Sequence, residues 1–79
     1  MKDYMVLFFT HSGAVKFGRK ARKQAFPCEL MPVPRKLSSN CGVGAKIQYE
    51  GTVDTLVDDE IEKIYAIIEA GYEMLYCGE

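Results

Sequence analysis

An α+β sandwich is the fold class this sequence predicts, and three observations predict it. Apolar, aromatic-rich runs at residues 4–9 and 72–77 read as strands near the two ends, two longer stretches repeat their apolar residues at helical spacing, and clusters of Pro, Gly, Ser and Asn separate the segments. The resulting order, strand, helix, strand, strand, helix, strand, is that of the ferredoxin-like split βαβ arrangement. In it two helices cover one face of a four-stranded antiparallel sheet. Seventy-nine residues, 48% apolar and 27% charged, are enough for one such domain over 1–79 with a single small core. A deep substrate cleft does not fit in a chain of this size, so a carrier or accessory protein is expected before a stand-alone enzyme.

Each element follows from its residues. Tyr4, Val6 and Phe8 alternate with Met5, Leu7 and Phe9, so both faces of the first strand read as buried, as in the centre of a sheet. Ser12 is the expected N-cap of a helix reaching about residue 24 or 25, with Ala14, Val15, Gly18, Ala21 and Ala25 inside and the basic residues outside. Phe26-Pro27 ends that helix, because proline disfavours a helical predecessor. A second extended run at 28–33 meets Pro32 and Pro34 and therefore belongs at a sheet edge. A third strand runs from about residue 43 or 45 to 49, with Ala45, Ile47 and Tyr49 on one face.

Val53, Val57, Ile61, Ile64 and Ile68 then recur at helical spacing, with Leu56 and Ile67 widening the stripe. They predict a second helix from about residue 59 to 70, stopped by Gly71, with Thr52, Thr55 and Asp58 as alternative caps. Phe17, Tyr65, Met5, Met31 and Met74 read as core residues. In the predicted topology strand three lies between strands one and two. His11, the start of the first helix and Cys41 then share one end of the molecule, and Cys28 and Cys77 fall at the other end on outer strands.

Ten Lys and Arg against eleven Asp and Glu leave a net charge of -1, so no overall basic field draws the chain to nucleic acid or to a membrane surface. The charges are segregated, however. Lys16, Arg19, Lys20, Arg22 and Lys23 lie early, whereas Asp54, Asp58, Asp59, Glu60, Glu62 and Glu69 lie late, as two solvated faces or as docking surfaces. No signal peptide or membrane span is read, and a cytoplasmic location is expected. Three cysteines, Cys28, Cys41 and Cys77, cannot all pair in one chain, and no Cys-x-x-Cys spacing suggests zinc or a dithiol site. No metal or cofactor is expected.

The segment from 30 to 42 carries the clearest chemical signal. Pro32 and Pro34 stiffen its entry, Gly42 and Gly44 permit left-handed backbone at its exit, and Cys41 sits between. Thiolate, the nucleophilic form, is favoured by nearby cations and backbone N–H groups, which Arg35, Lys36 and a turn at Cys41-Gly42 would supply. Cys41 also fits as a small, half-buried loop residue whose neighbours Ser38, Ser39 and Asn40 satisfy turn hydrogen bonds. His11 invites a Cys-His pairing or a modulating role, although a strand-end His also serves as a turn residue.

Met31-Pro32-Val33-Pro34-Arg35 followed by Ser38-Ser39-Asn40-Cys41-Gly42 resembles the Pro-x-Pro-Arg and Ser-Ser-x-Cys-Gly signature of the small bacterial selenium/sulfur (Se/S) carrier-like family. The resemblance covers nearly the whole chain. It implies that Cys41 takes a sulfur or selenium atom from a donor such as a cysteine desulfurase, holds it as a persulfide or perselenide, and passes it to an acceptor protein. It also implies that Arg35, Ser38, Ser39 and Gly42 shape the site.

A binding module for a small ligand or a protein is the competing class, through the sheet, the loops or the basic helix. Nucleic-acid binding is disfavoured because strand three, Ala45-Lys46-Ile47-Gln48-Tyr49, lacks the basic, aromatic-Gly-aromatic RNP pattern. An exposed sheet face or edge leaves homodimerisation open.

Overall fold

The computed structural model describes residues 2–37 and 42–78, and Ser38, Ser39, Asn40 and Cys41 lie outside the described residues. Five strands form one sheet: β1 (Lys2–Phe8), β2 (Cys28–Pro32), β3 (Val43–Tyr49), β4 (Ile61–Ile68) and β5 (Gly71–Cys77). A single α-helix, α1 (His11–Lys23), and a short 3-10 turn, Val53–Leu56, complete the described structure. The strand order is β2-β3-β1-β4-β5, and every neighbouring pair is antiparallel. The ferredoxin-like arrangement expected from the sequence is therefore overturned, since it requires four strands and two helices.

The correction falls on residues 59–70, where the helical spacing of Ile61, Ile64 and Ile68 comes from a strand. The β1–β4 register pairs Val6 with Ile64 and Leu7 with Lys63, then shifts so that Phe8 faces Ile61. That bulge inserts Glu62 as the extra residue, so Ile61 and Ile64, three apart, both join the core under the helix. A spacing of three imitates a helix turn. Four isoleucines and a tyrosine in Ile-Glu-Lys-Ile-Tyr-Ala-Ile-Ile suit a pleated strand better than a helix, where β-branched residues lose rotamer freedom. Gly71, expected to stop a helix, instead follows the two-residue turn of the β4–β5 hairpin with φ 137°.

β1 is the central strand, as its two apolar faces predict. Tyr4, Val6 and Phe8 face α1 and pack with Ala14, Phe17, Ala45, Ile47, Val53, Leu56, Ile61 and Ile64. Met5 and Leu7, on the opposite face, are also buried, at 2% and 0% exposure. Gly44 makes room for them: a Cβ there would lie 3.1 Å from both the Leu7 Cδ2 and the Met5 Sδ atoms.

Gly13, Ala14, Phe17 and Ala21 form the buried stripe of α1, and the two alanines let the helix lie close to the sheet. Val15, expected inside, is 42% exposed. The Phe17 ring contacts Phe8 at 5.3 Å and Phe26 at 6.1 Å, and Phe26 meets Tyr49 edge-on at 5.1 Å, tying the helix to the sheet. Thr10, not Ser12, is the N-cap: its hydroxyl oxygen accepts the Gly13 N–H at 3.0 Å.

The helix closes in a Schellman motif, with Phe26 N–H donating to Ala21 O (3.1 Å) and Ala25 N–H to Arg22 O (3.2 Å). Ala25 takes the left-handed position at φ 61°, where glycine is the usual occupant.

Candidate functional site

The sequence places the candidate thiol in the loop between β2 and β3, and the register shows where that loop leaves the sheet. Pro32 pairs with Val43, and the Val33 N–H donates to Gly42 O at 3.1 Å, closing the loop at its base. Within the loop the Leu37 N–H donates to Pro34 O at 3.0 Å, a turn with Arg35 and Lys36 at its centre, both exposed. Gly42 sits at φ 74° and a Cβ there would meet nothing within 4 Å. Backbone conformation, not crowding, calls for glycine at this position.

β3 lies between β1 and β2, as expected. Leu7 pairs with Gly44, so the carboxyl end of β1, the amino end of α1 with His11, and the base of the 33–42 loop all leave the sheet at one end. His11 is exposed as the first residue of the helix. The described residues thus bring His11 and the loop base carrying Arg35, Lys36 and Gly42 to a common end. Cys41, Ser38 and Ser39 belong to the segment outside the described residues, and their assignments stand on the sequence.

Sequence reasoning missed Glu60 and Thr10 at this end. The Glu60 carboxylate accepts the Thr10 hydroxyl at 3.2 Å and lies 3.9 Å from the Lys16 ammonium. It sets a negative charge against the amino end of α1, which has no acidic residue in its own first turn. The pair is separated by fifty positions, so no local signal could have found it. The turn that delivers Glu60 is itself local, with the Glu60 N–H bonded to Asp58 Oδ1 at 2.9 Å.

The remaining cysteines divide differently from expectation. Cys28 pairs with Ile47, which pairs with Tyr4, and so lies at the far end of the sheet as expected. Cys77 does not. Met31, Gly44, Leu7, Lys63 and Cys77 form one row across all five strands, which puts Cys77 at the loop end. The added fifth strand reverses its direction relative to the four-stranded expectation. Cys77 is exposed on the outer strand, three strand spacings or about 14 Å along that row from Gly44. Cys28 is half-buried, and burial raises its thiol above the ordinary value, which favours the protonated, less nucleophilic form.

Among the described residues no three His, Cys, Asp or Glu side chains gather as metal ligands, and no helix is long and apolar enough to cross a membrane. The fold thus defines a small α+β domain in which a glycine-bounded loop with exposed Arg35 and Lys36 leaves the sheet at the same end as the helix amino terminus. The chain belongs to the family described as "Putative Se/S carrier protein-like", which it matches over residues 3–73. No curated protein and no solved structure matches it.

Proposed function

We propose that the domain is a sulfur or selenium carrier that works through Cys41. Membership of the Se/S carrier-like family over residues 3–73 is the observation that carries this reading. Loop architecture supports it: a Val33–Gly42 closure, a left-handed glycine directly after Cys41 in the chain, and two exposed cations, Arg35 and Lys36, in the preceding turn.

In this mechanism the Cys41 thiolate attacks the outer sulfur of a donor persulfide, such as that of a cysteine desulfurase. A new S–S bond forms at Cys41 while the donor S–S bond breaks, and the donor leaves as a thiolate. An acceptor thiolate then takes the outer atom by the same exchange and Cys41 is regenerated. Arg35, Lys36 and turn N–H groups favour the anionic forms, Ser38, Ser39 and Gly42 shape the loop, and His11 modulates the thiol from the helix start.

Incubation with a cysteine desulfurase and cysteine or selenocysteine, followed by intact-mass and peptide mass spectrometry, tests the reading. One added atom mapping to Cys41 and lost in Cys41→Ser is the expected result. Equal loading of all three cysteines, or none, would remove the relay.

A further inference from the structure

We propose that the free edge of β2, roofed by α1, is a docking groove for an extended acidic segment of a partner protein, which adds to the sheet as a sixth strand. The inference stands on the described residues alone and does not depend on the carrier reading.

Two backbone bonds set the phase of the β2–β3 ladder. Gln48 N–H donates to Pro27 O at 3.2 Å and Val33 N–H to Gly42 O at 3.1 Å. In an antiparallel pair these groups alternate, so residues 27, 29, 31 and 33 turn their backbone toward β3 and residues 28, 30 and 32 turn theirs outward. Cys28 and Leu30 therefore each present an N–H and a C=O to the open edge. Pro32, which lacks an N–H, occupies an outward position where no bond within the sheet is lost. The edge is a ready template for a polypeptide backbone.

Side chains above that edge state what the added strand would carry. Val15, Gly18, Arg19 and Arg22 of α1 and Cys28 and Leu30 of β2 line an open groove of about 330 Å³. Val15 and Leu30 are each 42% exposed, an apolar pair with no cover, while no acidic residue lines the groove. Among the described residues the ion pair made by α1 is that of Lys16 with Glu60, so the Arg19 and Arg22 guanidinium groups are uncommitted. An occupant whose successive groove-facing side chains, two positions apart along its strand, include both carboxylates and small apolar groups answers both features. A nucleic acid would answer the charges but not the Cys28 and Leu30 backbone groups. The direction of β2 leads such a strand to Val33, where the 33–42 loop begins.

The probe is an eight-residue fluorescein-labelled Glu/Val peptide, Glu-Thr-Val-Thr-Glu-Thr-Val-Thr, which puts Glu and Val on one face of a strand, measured by anisotropy, with amide shifts in ¹H–¹⁵N spectra. Comparison probes are the same peptide N-methylated at alternate residues, a Lys/Val peptide, and oligouridylate. Binding of the Glu/Val peptide should shift the Cys28 and Leu30 amides, weaken about tenfold or more in Arg19→Glu/Arg22→Glu, and be lost on N-methylation. Leu30→Pro, which removes an outward N–H and no ladder bond, should also abolish it, while retained amide dispersion shows that each variant is folded. No binding at millimolar peptide, equal binding of the Lys/Val peptide, or shifts at β5 instead of β2 would each overturn the proposal. Oligouridylate binding with indifference to N-methylation would overturn it in favour of a nucleic-acid surface.

Discussion

The Thr10 hydroxyl donates to Glu60 Oε2 at 3.2 Å while the same oxygen accepts the Gly13 N–H at 3.0 Å, so one side chain caps α1 and anchors it to the approach to β4. Gly13 lies directly beneath this contact. A Cβ at Gly13 would stand 2.6 Å from Glu60 Oε2 and 2.9 Å from Glu60 Cβ. Glycine to alanine inside a helix ordinarily stabilises by about 1 kcal/mol. Here Gly13→Ala is expected to destabilise by about 1–3 kcal/mol through overpacking. Urea unfolding of Gly13→Ala, and of that variant combined with Glu60→Gly, checks this. The second change should restore part of the loss, because it removes both clashing atoms.

Ala25 makes the opposite prediction. It holds the left-handed position of the Schellman motif at φ 61°, and an L-residue there is strained by about 1–2 kcal/mol. Ala25→Gly should raise stability by about 0.5–1 kcal/mol, the relief of strain less the greater freedom of glycine in the unfolded chain. Thermal or urea unfolding measures it, and a loss of stability would refute the strain argument.

Gly42 closes the candidate loop at φ 74° in open space. Gly42→Ala should therefore cost about 1 kcal/mol from backbone strain alone. Gly42→Asn should cost less, since asparagine tolerates left-handed backbone. If loading of Cys41 depends on the loop's shape, sulfur incorporation read by mass spectrometry should fall in Gly42→Ala and recover in Gly42→Asn.

Cys28 offers a pH test. Burial raises its pKa in the folded protein, so the unfolded chain loses that proton first. Stability should then decline as pH rises from the ordinary thiol value toward the raised folded one, with no contribution from this group below that window. Iodoacetamide labelling resolved by peptide should show the Cys28 rate rising at higher pH in the native protein than in urea. Coincident profiles would contradict the burial effect.

Much of this molecule was legible in local patterns. β1 announced itself as central through apolar residues on both faces, α1 through its small and apolar stripe, and β2 as an edge through its prolines. Residues 59–70 were misread because a bulge at Glu62 gives a strand the spacing of a helix, and a bulge depends on the partner strand across from it. The cap was legible in kind but misplaced by two residues, since Thr10 and Ser12 are both suitable oxygens and only the entry angle from β1 chooses between them.

Elements whose physical cause is local can be read along the chain: the periodicity of α1, the stiff proline entry and glycine exit of the 33–42 loop, and the motif that places the chain in its family. Which residues stand in one row follows from long-range pairing. Pairing across five strands set Cys77 at the loop end of the sheet and Glu60 against the start of α1. Such relationships depend on register between segments distant in sequence, and register is chosen by the joint burial of all the strands.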